Sequence, residues 1–213
     1  MAQTKKTEVR EAILAAGLHL FATRGYNATT LGAIAAQAGT ATANVYVYFD
    51  SKLEVLYAIY TPWLQTRLLA LERELTKAGD ARTRLRRLLQ ALWRDIPAEQ
   101  NGFAINMMQA ISTVAPEDGY KPTLLQWMEQ RLDAMLAALL PPARRRATDT
   151  AALAHLLVMA FDGFIIYRHL SPSGAEAGAS IDAMCDLILG RRLPARQGRG
   201  RGSSAKIPAA GTR

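Results

Sequence analysis

Residues 29–52, TTLGAIAAQAGTATANVYVYFDSK, constrain the fold more tightly than any other stretch. Leu31, Ile34, Ala35 and Ala38 recur at i, i+3, i+4 and i+7, which gathers them on one face of a helix. Gly39 follows, where a helix end favours a residue able to take positive φ. The next run, Thr42 to Phe49, offers Val45 and Phe49 for burial. Its other face carries Thr42, Ala43, Asn44, Tyr46 and Val47, with Tyr48 close behind. Two short helices across a tight turn, the second anchored by few apolar residues, have the shape of a helix–turn–helix. Small, hydrogen-bonding and aromatic side chains on the free face suit a DNA groove. Any two packed helices joined by a glycine turn share this pattern, so the flanking segments have to decide.

Upstream lie Ile13-Leu14-Ala15-Ala16, Leu20-Phe21, Gly25-Tyr26 and Thr29-Thr30; downstream come Tyr46-Val47-Tyr48-Phe49 and Ser51-Lys52. In order and spacing these resemble the N-terminal domain of the tetracycline-repressor (TetR) family of bacterial transcription regulators, over roughly the first 60 residues. Beyond them the resemblance is one of architecture. It implies that Thr30, in the first turn of helix 2, touches the DNA backbone. It further implies that Thr42, Ala43, Asn44 and Val47 face base edges, that Tyr46 and Tyr48 reach the backbone, and that Lys52 binds phosphate. The chemistry agrees: asparagine pairs with adenine, alanine and valine pack on a thymine methyl, and tyrosine hydroxyls donate to phosphate. No arginine on this helix supplies bidentate guanine reading, so base contacts are expected to be few and the operator to be read partly by shape. As an alternative, Tyr46 and Tyr48 are partly buried core aromatics. Gly32 stands where the family often has a longer polar residue. Ala41 and Ala43 stand where it often has Ser and Gly, which leaves Thr40 or Thr42 to cap helix 3.

Half of the 213 residues are hydrophobic, enough for a substantial core. The single cysteine, Cys185, excludes an intramolecular disulfide framework, suits a reducing cytoplasm and reads as a packed helical thiol. Met1 to Arg10 is polar with no apolar run behind it, so no signal peptide is expected. Leu156 to Tyr167, interrupted by Asp162, reads as too short to span a bilayer, and no membrane partner is expected. The net charge of +8 is mostly the work of residues 191–213, which hold seven basic groups and no acid. The preceding 190 residues carry 19 basic and 18 acidic groups, so the high pI says little about the helix–turn–helix.

The periodicity predicts an all-α chain of about nine helices. Met1 to Thr7 is an arm, helix 1 runs from Thr7 to Arg24 and stops at Gly25, and Thr29 caps helix 2. Ser51 and Glu54 form a capping box for helix 4, which Pro62 kinks or ends. Helices are then expected over Trp63–Ala78, Arg82–Ile96, Phe103–Val114, Lys121–Leu140, Ala143–Leu170 and Ile181–Leu189, the last capped by Ser180. Ser171-Pro172-Ser173-Gly174 is a loop, and 191–213 a basic, disordered tail. The expected units are a DNA-binding domain at 7–67, a C-terminal ligand-binding and dimerisation domain at 68–190, and the tail. The resemblance implies a homodimer built on the last two helices; Leu153, Leu157, Ala160 and Phe164 with Ile181, Met184 and Ile188 are the residues offered for it.

Three histidines and no Cys/His cluster leave neither a catalytic nor a metal constellation, and no cofactor is expected. An effector cavity is expected among bulky and pliable side chains: Trp63, Trp93, Phe103, Met107, Trp127 and Met159, with His155 and Asp162 supplying polarity from one helix face. The structural alternative is that such residues are simply core, and Asp162 an interface group. The resulting reading is a cytoplasmic, ligand-released repressor that binds a palindromic double-stranded operator as a homodimer, with a largely apolar effector. The alternative is a helical ligand- or protein-binding module whose DNA-binding surface is degenerate.

Overall fold

In a computed structural model the described residues, 2–77, 79–99, 101–114, 122–170 and 177–190, form helices and turns and no strand. The expected Ser171–Gly174 loop and the 191–213 tail lie outside them. Helix α1 spans Ala2–Ala28, so most of the expected N-terminal arm is helical. Gly25, at φ 78 and ψ 166, breaks α1 in a conformation open essentially to glycine alone. Helices α2 (Leu31–Gln37) and α3 (Thr42–Tyr46) follow, with Gly39 at φ 67 between them. Ile13, Leu20, Phe21, Ile34, Ala35, Val45 and Phe49 close a core beneath these helices and α4.

Helix α4 (Lys52–Lys77) corrects the expectation of two helices. It continues through Pro62, because Leu56, Tyr60, Leu64, Leu68, Leu71 and Leu75 hold one buried stripe in phase across the proline. The proposed boundary at residue 67 therefore falls inside a continuous helix. Asp80 caps α5 (Ala81–Gln90), its carboxylate accepting from the Thr83 amide at 2.8 Å. A π-helical turn, Ala91–Asp95, leads into α6 (Ile96–Ala98), so Pro97 lies within a short helix and does not end the previous one. Then come α7 (Phe103–Ile111), α8 (Thr123–Leu139), α9 (Pro142–Ala147), α10 (Thr150–Leu170) and α11 (Ala177–Leu189). The single long helix expected from Ala143 is two, since Thr148 is extended and Asp149 caps α10 through the Ala152 amide at 3.0 Å.

Helix α10 packs on α8, α7 and the π turn, and α11 on α5. Arg82 and Arg86 pair with Asp186 and Asp182, and the Arg144 guanidinium donates to the terminal carbonyls of α11 at Leu187 and Ile188. Cys185 is buried beneath these pairs, and burial raises its thiol pKa. The inward face of α10 and α11 is Leu157, Phe161, Ile165, Ile181 and Ile188. This corrects the expected dimer surface: Leu157, Ile181 and Ile188 are core. The outward stripe is Leu156, Met159, Asp162, Gly163, Ile166 and Tyr167, joined by Leu187 from α11. By length and composition Thr150–Tyr167, with mean hydropathy 1.7, could cross a membrane, which the reading of Leu156–Tyr167 as too short had missed. Its inner face serves the core of this fold.

Helix α7 is bound to the N-terminal unit by polar contacts. The Asn106 amide nitrogen donates to the carbonyls of Phe21 and Gly102 at 3.0 and 2.8 Å, and Gln109 Oε1 accepts from the Tyr26 amide at 3.0 Å. Gly102 permits this: its φ is +71, and a Cβ there would sit 2.6 Å from Asn106 Nδ2 and 3.4 Å from Ala22 Cα. Gly102→Ala is expected to lower stability by about 1–3 kcal/mol through strain and loss of the Asn106 contacts, read as a fall in Tm.

Candidate nucleic-acid interface

The reading unit is assembled from residues that point two ways. Val45 and Phe49 are 0% and 3% exposed and tie α3 to the core, whereas Tyr46 and Val47 are 55% and 63% exposed. Thr42, Ala43 and Asn44 share the exposed side, and Tyr48 is half-buried against the core. Five of the expected DNA contacts thus occupy one outward face; of the two tyrosines, Tyr46 is outward and Tyr48 is partly packed against the core. Helix α3 stops at Tyr46, so Val47 is its C-cap and Tyr48 lies in the following turn.

The caps differ from expectation. Thr30, not Thr29, caps α2, its hydroxyl accepting from the Ala33 amide at 3.1 Å. Thr29 is fully buried, and its hydroxyl donates to the Gly25 carbonyl at 2.8 Å, bridging the break in α1. Neither Thr40 nor Thr42 caps α3; Ala41 holds that position without a side-chain bond. Thr40 Oγ1 accepts instead from the Asn44 amide nitrogen at 2.9 Å. At the entry to α4, Ser51 Oγ accepts from the Glu54 amide at 3.1 Å, and Glu54 returns a bond from the Asp50 amide, a capping box displaced by one residue.

Lys52 departs from the phosphate-binding role most clearly. Its ammonium donates to the carbonyls of Tyr26 and Thr29 at 2.8 and 2.9 Å and lies 4.0 Å from the centre of the Tyr26 ring. Burial lowers its pKa. Two of its three donors are therefore spent on the end of α1 and the start of α2. A charge-free motif was also legible and missed: between Arg24 and Asp50 no side chain carries a formal charge.

The expected effector residues divide into separate groups. Phe103 stands at the centre of one, 4.7 Å from Trp63 and 5.5 Å from Tyr60 between ring centres, with Met107 packed nearby on α7. Trp93, in the π turn, stacks on Phe164 at 4.7 Å and 14°. Trp127 is half-buried under Arg131. His155, Met159 and Asp162 do not join them: they lie on the outward stripe of α10, His155 bonded to Glu129 at 2.6 Å. Burial among the neighbouring apolar groups raises the Asp162 pKa. Among the described residues three buried side-chain polar atoms, Arg84 Nε, Trp93 Nε1 and Asn106 Oδ1, have no partner within the protein. A groove of about 160 Å³ between α4 and the π turn is lined by none of the expected effector residues; Arg67, Glu74, Arg87, Asp95 and Glu99 line it, already paired as ions.

The sequence model of the bacterial regulatory proteins, tetR family, matches residues 13–59. The HTH-type transcriptional activator FasR of Mycolicibacterium smegmatis is 29% identical over 100 residues, which are 47% of this chain and 46% of that protein. The match thus spans about half the length of that curated relative. Among solved structures, the transcriptional regulator FadR from Bacillus subtilis, in complex with stearoyl-CoA, superposes with a TM-score of 0.65 at 16% identity, over 86% of this chain and 99% of that one. The TetR family transcriptional regulator PfmR from Thermus thermophilus superposes with a TM-score of 0.55 at 28% identity, over 85% and 95%.

Replacing Lys52 by methionine should lower stability by roughly 3 kcal/mol or more, from two hydrogen bonds to a charged group at about 1.5–3 kcal/mol each, seen as a lower Tm. The slope of log affinity for DNA against log salt should stay unchanged, whereas loss of a phosphate ligand lowers it by about 0.9 per contact.

Proposed function

We propose that the chain, whose residues 13–59 match the bacterial regulatory proteins of the tetR family, is a dimeric DNA-binding transcription regulator of that kind, its hold on its operator set by a small apolar effector. The observation that carries the reading is the face of α3: Thr42, Ala43, Asn44, Tyr46 and Val47 stand outward on a helix that Val45 and Phe49 anchor from behind. Thr30 and Tyr48 flank it and are suited to phosphate contacts. Residues 7–67 form the reading unit and 68–190 the effector and dimerisation unit, with α4 running through both.

A palindromic operator needs two copies of α3, and the outward stripe of α10 with Leu187 of α11 supplies the surface for pairing. An apolar stripe of this length gains stability when a second copy covers it. Gly163 at its middle lets two such helices approach closely. The effector reading is supported by the aromatic group around Phe103 and by the unpaired Trp93 Nε1 and Asn106 Oδ1, which an amphipathic ligand with a polar end could satisfy. The same fold in Bacillus subtilis FadR accommodates stearoyl-CoA, an acyl-chain ligand, which makes acyl thioesters the first compounds to try. An effector that favours the DNA-free arrangement makes the protein a ligand-released repressor, active in the cytoplasm; one that favours the bound arrangement makes it an activator, as FasR is named.

The purified full chain should retard a subset of genomic fragments at low salt, and a panel of acyl-CoA esters should change that retardation. Retardation of none would point to a helical module with a degenerate DNA-binding surface. Met159→Glu, placed on the outward stripe, should leave helical content intact, give a monomer by sedimentation and lower operator affinity by roughly a hundredfold or more through loss of the second contact.

A further inference from the structure

The outward face of α3 lacks charge, and so does everything that frames it, from Gly25 to Phe49. Its polar groups are few and partly committed. Thr29 is turned inward and the Thr30 hydroxyl accepts at the α2 cap. Asn44, an exposed residue, is steadied by the bond from its side-chain amide nitrogen to Thr40 Oγ1 at 2.9 Å, which does not engage its carbonyl oxygen or its second amide hydrogen. Beside it stand the methyls of Ala43 and of Val47, the latter 63% exposed.

The major groove gives each base pair its own pattern. Guanine offers two acceptors, which call for a pair of donors such as arginine or lysine, and cytosine offers a donor, which calls for a carboxylate. The α3 face has none of these groups. Adenine offers an acceptor beside a donor, the complement of a carboxamide, and thymine offers a methyl, the complement of an apolar side chain. The hydroxyls of Thr42 and Tyr46 can reach a purine N7, but adenine and guanine share that acceptor, so a single bond there does not distinguish them. A hydroxyl also costs little to leave in water.

We propose that α3 reads A·T base pairs: Asn44 pairs with adenine, Val47 and Ala43 pack on thymine methyls, and Thr40 is a positioning residue that holds the Asn44 amide in its reading orientation. The core of each operator half-site is accordingly A·T, and its specificity is carried by shape, one carboxamide and methyl contacts. The proposal rests on the DNA-binding reading above and specifies which bases that face takes.

The test begins with selection of binding sites from random-sequence duplex DNA by the full-length dimer. The expected half-site has A·T pairs at its core. Uracil in place of a core thymine should weaken binding about fourfold per methyl lost, the transfer value of one buried methyl group, and at the thymine that Val47 contacts the loss should be smaller for Val47→Ala. 7-Deazaadenine at the core adenine should weaken the native protein about tenfold or more and leave Asn44→Ala unaffected. Thr40→Val should lose the deazaadenine discrimination and Thr40→Ser should keep it, with circular dichroism confirming that each variant is folded. A core of G·C pairs, or equal binding of thymine and uracil duplexes, overturns the proposal while leaving the DNA-binding reading intact. Thr40→Val with full discrimination overturns the positioning role. Enrichment of no sequence overturns the DNA-binding reading and this proposal with it.

Discussion

The reading helices keep their place because the backbone of one residue, Tyr26, is gripped on both sides, through its N–H and its carbonyl. Its N–H donates to Gln109 Oε1 from α7, and its carbonyl accepts from Lys52 Nζ from α4. A helix that breaks inside a folded protein leaves amides and carbonyls that need partners. Here the break at Gly25 is satisfied by two distant elements in place of water. Thr29 completes the arrangement, bonding back to Gly25 through its hydroxyl and accepting Lys52 through its carbonyl. The segment that leads into α2 is therefore held by α4 below and by α7 beside. Because α7 carries Phe103 and Met107, a ligand that displaced this helix would draw on the Gln109–Tyr26 and Asn106–Phe21 bonds. Geometry at the break then links the two halves of the molecule with no contact between effector and DNA.

Much of this was legible in the residues, and the failures have local causes. The i, i+3, i+4 spacing located α2 and the Val45/Phe49 anchor of α3, since those depend only on which side chains share a face. The cap of α2 was missed by one residue because Thr29 and Thr30 are chemically equivalent, and the choice is made by the tertiary turn after Gly25. The resemblance implies a phosphate partner for Lys52, and the carbonyls it meets instead leave no mark on a side-chain pattern. For α4, by contrast, the signal was present: Leu56, Tyr60, Leu64 and Leu68 keep their phase across Pro62. One missing hydrogen bond does not outweigh burial of a stripe that long.

Helix α10 shows why its inward side could not be chosen by hydrophobicity. Nearly every residue from Leu153 to Tyr167 is apolar, so amphipathic contrast is almost absent. What contrast exists lies in His155 and Asp162, and both fall on the outward side. A carboxylate among exposed apolar groups is poorly solvated, and its raised pKa reflects that setting. Packing sets the remainder: Trp93 stacks on Phe164, while the ion pairs of Arg82 and Arg86 and the Arg144 cap fix α11. Together they direct Leu157, Phe161 and Ile165 inward. The effector residues expected on α10, His155, Met159 and Asp162, all fall on the outward side, because a helix apolar all round serves the core with one side and another surface with the other.

The absence of charge from Gly25 to Phe49 separates two tasks that DNA-binding proteins often combine. Attraction to phosphate comes from cations and falls with salt, whereas recognition of bases comes from fitted hydrogen bonds and methyl contacts. In this chain the reading face has the second kind of group and none of the first. Its neighbouring lysine is engaged with carbonyls, and Arg10, on α1, lies over the Phe49 ring. The basic residues that could provide salt-sensitive affinity are placed elsewhere in the sequence, in the first ten residues, at Arg24 and beyond residue 190. Changes to those positions would alter how tightly all DNA is held, and changes to α3 would alter which DNA is chosen. A face without charge also binds a wrong sequence weakly, since its hydroxyls and carboxamide can donate to phosphate but no cation on it can attract one. Selectivity at α3 thus follows from what its helix lacks as much as from Asn44 and Val47.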